Sequence, residues 1–207
     1  ALLKGLEVVE IRFSNLANIL DYRIEAEYFL KKFLQIDSVL ERNNVLPFDN
    51  CFSFKNGRPY VSDEIDTSIN QNENKNFDIK LAKIGDVTNK RNIEDWAGIT
   101  EKEFVLQKGN FLEYGDILMT LTGDPPDVGK VHFINVKSER CTWNQRVARI
   151  RIKNNNSICS KEYAFILLST KYCRTQIERF AKGIRQRNLG NEGLERVLIP
   201  IFSKNFQ

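Results

Sequence analysis

Histidine is nearly absent from this chain: of 207 residues, only His132 carries an imidazole. Ser/His or Cys/His nucleophilic catalysis would therefore depend wholly on that side chain. It sits inside a strand-like run, where a packed or surface histidine is the default. The four cysteines, Cys51, Cys141, Cys159 and Cys173, form no Cys-x-x-Cys pair. The usual Cys/His zinc spacings are thereby excluded, and no metal site is expected. Unpatterned thiols in a charged chain fit a reducing, cytoplasmic setting. Long apolar runs are missing too. A stretch such as Ala164–Leu168 falls far short of the ~20 residues a membrane-spanning helix needs. No signal peptide opens the chain, and its first residue is Ala1 rather than Met, which suggests an excised fragment.

What is present is enough for a core. Hydrophobic residues make up 42% of the chain and include 14 Phe, so global disorder is excluded. The length suits one domain, taken here as residues 1–207 with 1–22 as a lead-in and 23–207 as the body. The net charge of +4 conceals an asymmetry. Residues 1–127 hold 15 Lys/Arg against 22 Asp/Glu, whereas residues 128–207 hold 16 against 5. A basic C-terminal part favours a polyanionic partner over a small neutral substrate.

Periodicity predicts an α+β fold: a strand-rich centre flanked by an N-terminal and a C-terminal helix. Leu6 to Phe13 alternates as a strand. Glu25 to Arg42 places Tyr28, Phe29, Phe33, Ile36 and Leu40 on one helical face. Asn56-Gly57 signals a hairpin turn, and the polar stretch Ser62–Asn76 reads as an exposed loop. Strands are expected at Phe77–Val87, Gly115–Thr122, Lys130–Val136 and Arg146–Lys153. In the third-last of these, Ile117, Met119 and Leu121 face one way and Thr120 and Thr122 the other. In the last, Ala148, Ile150 and Ile152 face inward, leaving Arg149, Arg151 and Lys153 as a basic row. Ser160 caps a helix running to Ala181 that Gly183 ends. Its apolar stripe is Tyr163, Ile166, Leu167, Cys173, Ile177 and Phe180. Lys171, Arg174, Glu178, Lys182 and Arg185 form a charged one.

Three tempting active sites fail when checked. Gly123 to Lys130 resembles a phosphate loop, but five residues separate its glycines, two of them prolines, and Val131 replaces the metal-binding Ser/Thr. Asp124-Pro125-Pro126-Asp127 resembles the tetrad of base-flipping amino-methyltransferases, yet Asp127 cannot stack on a base. A rigid Pro-Pro turn is the better reading. Asp49 with Glu73 and Lys75 mimics a nuclease, but the last two fall in the polar loop. No catalytic residue is assigned.

The nucleic-acid features fare better. Lys130, Lys137, Arg140, Arg146, Arg149, Arg151 and Lys153 can meet phosphates, while Asn144, Gln145, Gln186 and Asn188 can read base edges. Trp143 adjoins Asn144-Gln145, and Arg185-Gln186-Arg187-Asn188 follows a helix end. A solvated basic surface is the bland alternative. The clustering of charge with amides at strand and helix ends argues against it.

In this order and spacing, several segments resemble the target recognition domain of type I restriction–modification specificity subunits, a domain also found fused to methyltransferase–nuclease chains. They are Arg23-Ile24-Glu25-Ala26-Glu27-Tyr28-Phe29, Gly115-Asp116-Ile117-Leu118, Gly129-Lys130-Val131 and Asn144-Gln145 leading into the basic strand. Tyr163 to Phe180, Gly183, Gln186, Leu189, Leu194 and Ile199-Pro200-Ile201 complete the pattern. The resemblance implies a non-catalytic α+β module that reads one half of a split duplex DNA target. It implies docking to a methyltransferase subunit or fused domain that carries S-adenosylmethionine, with an endonuclease or translocase subunit as a further partner. A full specificity subunit has two such domains and this sequence has one. Its Asp-Pro-Pro-Asp-Val insert replaces the shorter turn of many relatives. The expected DNA-facing set is Lys90, Arg91, Thr122, Lys130, Arg140, Asn144, Gln145, Arg146, Arg185, Gln186, Arg187 and Asn188. The rival readings are an enzyme fragment, methyltransferase or nuclease, and a protein-interaction module.

Overall fold

Valine and isoleucine alternating with arginine make Val147–Ile152 a strand, and that strand organises the molecule. The computed structural model describes residues 9–11, 26–61, 65–66, 78–105, 111–136, 140–153, 158 and 160–201. The expected strand Leu6–Phe13 lies outside these apart from residues 9–11, as do Glu73, Lys75, Lys137, Cys159 and most of Ser62–Asn76.

The strands are β1 (Val45–Pro47), β2 (Phe52–Asn56), β3 (Ile65–Asp66), β4 (Ile79–Ala82), β5 (Ala97–Ile99), β6 (Ile117–Thr120), β7 (Thr122–Gly123), β8 (Val131–Phe133), β9 (Cys141–Trp143), β10 (Val147–Ile152), β11 (Arg187–Asn188) and β12 (Leu198–Pro200). The α-helices are α1 (Lys31–Leu40), α2 (Phe48–Cys51), α3 (Ile84–Thr88), α4 (Glu101–Val105), α5 (Lys161–Ser169), α6 (Lys171–Phe180) and α7 (Asn191–Glu195). This is a mixed α+β architecture, as the periodicity predicts.

The central sheet is antiparallel, in the order β2-β10-β6-β8. One face carries Phe52, Ile117, Met119, Ala148 and Ile150 against Leu167, Leu168, Cys173 and Ile177 of α5 and α6. The other carries Leu118 and Val147 against Trp96, Trp143, Ala82 and Leu112. The strand β6 is therefore buried on both faces, not one. Thr120 tolerates this because its hydroxyl donates to the Asp127 carbonyl at 2.5 Å and accepts from Lys130 N–H at 3.0 Å. A second sheet, β3-β5-β4-β9, contains one parallel pair, β4 with β9.

Four expectations need correction. Asn56-Gly57 makes no hairpin; β2 pairs with the distant β10, and Arg58 bridges to Asn144. Phe77–Val87 yields the short β4 and then α3, because Lys83 N–H donates to the Asp86 carboxylate at 2.8 Å and starts a helix. The long C-terminal helix is two helices. Thr170 is extended between them, donating its N–H and hydroxyl to Leu167 O while its own hydroxyl caps α6 at Cys173 N–H. Within α5 itself, Ile166 faces solvent and is 61% exposed, so it drops out of the apolar stripe. Two members of the charged stripe also serve the fold: Arg174 donates to Pro126 O at 2.8 Å, and Glu178 pairs with Lys32 at 2.5 Å.

Candidate nucleic-acid interface

The basic row of β10 is committed to the fold. Asp116, 2% exposed, receives Arg151 through Nε at 2.5 Å and Nη2 at 2.9 Å. Glu113 adds a second carboxylate at 3.1 Å. Hydrogen bonding to Asp116 raises the Arg151 pKa further above its ordinary value. Arg149 donates to Phe111 O at 3.2 Å and lies over the Trp143 ring at 4.8 Å. Burial pulls its pKa down. Lys153 donates to Asp49 O. Trp143 is fully buried and donates to Lys55 O at 3.0 Å, so it stacks on no base.

The chain is available instead where the central sheet frays at its β6–β10 end. After Thr120 the strand bends, and Leu121 N–H donates to Arg146 O at 2.9 Å. Thr122–Gly123 then pairs antiparallel with β11, Arg187 opposite Gly123 and Asn188 opposite Thr122. Leu189 N–H continues this ladder to Leu121 O at 2.7 Å. Backbone pairing thus joins Arg146, Thr122 and the Arg185–Asn188 loop on one edge. Gln145 joins them through Arg58, whose carbonyl accepts Gln145 N–H at 3.0 Å.

Side chains differ in how far this edge leaves them available. Gln145, Arg146, Arg185, Gln186 and Asn188 are exposed. Asn144 spends its side-chain oxygen on Arg146 N–H at 3.0 Å, a turn that shapes the loop. Thr122 has a buried hydroxyl without a hydrogen-bond partner, so its contribution to the edge is its backbone. Arg187 donates to Glu178 O, at the end of α6, at 2.9 Å. Beside them the Pro-Pro segment forms a turn, as expected: Asp127 N–H donates to Asp124 O at 2.8 Å, and Lys130 pairs with Asp127 at 2.7 Å.

Three expected residues lie elsewhere. Arg140 precedes β9, at the opposite strand end from Asn144, and pairs with Glu101 at 2.9 Å. Lys90 and Arg91 follow α3, which packs on β6 and β8. Arg91 reaches Asp86 at 3.5 Å. Residues not foreseen join the edge: Arg58, the amide pair Asn56–Asn191 at 3.1 Å, and Ile184 at the loop tip. Ile184 had a signal, an apolar residue between Gly183 and Arg185; the amide pair had none. Among the described residues, no cluster of three or more His, Cys, Asp and Glu side chains could hold a metal ion, and no helix is long and apolar enough to cross a membrane.

No family model and no curated protein matches the chain. Solved structures do. The S subunit of a type I restriction–modification system from M. genitalium superposes with a TM-score of 0.53 at 16% identity, over 78% of this chain and 35% of that one. The type IIG restriction endonuclease BpuSI gives 0.51 at 10% identity, over 92% and 28%. The fold is that of a target recognition domain. A structure from work on assembly and conformational transition of the type I restriction–modification system agrees, with 0.50 at 11% identity, over 93% and 45%. The chain therefore spans less than half the length of each of these three structures, and at these identities the likeness is one of fold. Within the target-recognition fold, the buried Asp116 of the Gly115–Leu118 segment clamps Arg151, and the edge at β7–β11 is where exposed cations and amides meet.

Proposed function

We propose that this chain binds duplex DNA sequence-specifically and specifies one half-site for a restriction–modification methyltransferase or endonuclease. The observation that carries the reading is the β7–β11 ladder, which gathers Arg146, Gln145 and the Arg185–Asn188 loop on one edge. Such a set combines cations for phosphates with amides suited to base edges. Arg146, Arg185 and Lys130 position the backbone, and Gln145, Gln186 and Asn188 read bases. Asn144 shapes its loop, Thr122 and Arg187 hold the ladder, and Lys90, Arg91 and Arg140 contact phosphates flanking the central site. The target-recognition fold supports the same assignment.

In this reading the module, residues 23–207 with 1–22 leading into it, performs no catalysis in the cytoplasm where it works. S-adenosylmethionine binds the partner methyltransferase, either a separate subunit or a fused domain, and an endonuclease or translocase subunit completes the assembly. Selection from a randomised duplex pool, with a methyltransferase partner present, tests it. We expect a short enriched sequence, and no binding of S-adenosylmethionine by the chain alone. Failure to enrich any sequence overturns the reading.

A further inference from the structure

Among the described residues the most exposed large apolar side chain is Ile184, at 95%. A lone exposed aliphatic residue is ordinary on a protein surface; its setting here is not. Ile184 stands at the apex of a loop closed by two reciprocal backbone hydrogen bonds, Lys182 N–H to Asn188 O at 2.9 Å and Asn188 N–H to Lys182 O at 2.7 Å. Gly183 has a φ of +117°, and a Cβ there would strike the Gln186 carbonyl, so the tip is folded tightly on itself. Arg187 ties the returning limb to the end of α6, and β7 pairs with it from the other side. Because the loop is held in shape beforehand, little ordering cost is left for binding.

Around the apolar apex lie Lys182, Arg185 and Gln186, all exposed. A DNA groove presents chemistry in a matching order, anionic phosphates on its rims and, among the polar base edges of its floor, the apolar C5-methyl of thymine. We infer that Ile184 is a specificity-determining contact that packs against base atoms in the groove while its cationic neighbours hold the rims. The inference rests on the DNA-binding reading above and adds a residue that reads by shape and apolar contact rather than by hydrogen bonds.

The test uses the 207-residue chain, the duplex enriched by selection, and the variants Ile184→Ala and Ile184→Lys. Near-complete exposure means both should fold, which unchanged thermal midpoints would show. Ile184→Ala should weaken the selected duplex about tenfold and, on reselection, relax the preference at one or two adjacent base pairs. Its salt dependence should stay as in the parent chain. Ile184→Lys should also lose discrimination despite its added charge. Tighter binding of Ile184→Lys to all sequences would put the apex on the phosphates and overturn the inference. Unchanged affinity and preference in both variants would overturn it too, leaving the apex to a protein partner. A parent chain that selects no sequence overturns the underlying DNA-binding reading instead, so the two failures are distinct.

Discussion

His132 is the one imidazole, and its surroundings are those of a packing residue. It sits half-buried in β8, its ring edge-on to Trp96 with centroids 6.0 Å apart. Burial pushes its pKa below the ordinary 6.5; the Lys90 charge adds to that, and Asp86 opposes it. In the unfolded chain the imidazole takes up its proton near pH 6.5, but in the folded chain only at lower pH. The stability it contributes is therefore full above that value and falls as pH drops through the window below it. We expect the thermal midpoint to fall by a few degrees between pH 7.5 and pH 5.5. In His132→Asn that drop should shrink. A drop of equal size in the variant would assign it to carboxylates. The thiols follow the same logic: burial lifts Cys51 to about 11 and Cys173 to about 12, which makes them inert.

At the scale of elements, Gly57 separates two accounts of the same dipeptide. A hairpin at Asn56-Gly57 would require positive φ, and Gly57 does not have it. Instead a Cβ on Gly57 would run into the backbone carbonyls of Trp143 and Asn144. The residue is small because β2 exits beside the loop that ends β9. Gly57→Ala should thus cost about 2–3 kcal/mol in denaturant unfolding, since the obstructing atoms are main chain and cannot rotate away. A cost under about 1 kcal/mol, typical of glycine replaced where the backbone is compatible, would refute the close approach. The misreading has a physical cause. Turn chemistry is local, whereas the partner of β2 lies some ninety residues on, at Ala148–Ile152. Periodicity located β6, β8 and β10 well, because alternation is written in adjacent residues. It said nothing of Leu118, which lies on the second buried face of β6 and interrupts the alternation there. Thr170 breaks the C-terminal helix through a cap that a continuous apolar stripe conceals.

At the scale of the whole molecule, the charge asymmetry was legible in the sequence, but its division of labour was not. Arg149, Arg151 and Lys153 count toward the basic C-terminal part, yet each is bound within the fold. Arg146 and Arg185 carry the same formal charge on the exposed edge. If the edge meets DNA, the two groups must respond differently to salt. Each phosphate neutralised releases counterions and adds about 0.9 to the slope of log K against log salt. Arg146→Ala and Arg185→Ala should each lower affinity for the selected duplex and flatten that slope by about 0.9, with stability unchanged. Arg151→Ala should do the reverse. It leaves the buried Asp116 carboxylate without its main partner, so unfolding should cost several kcal/mol less, about 3. The salt slope of whatever folded protein remains should match the parent. Fluorescence anisotropy at four salt concentrations, beside urea unfolding of the same three variants, measures both quantities. A slope that flattens equally in Arg151→Ala would mean that the polyanion lies across β10, and the β7–β11 edge would lose its claim.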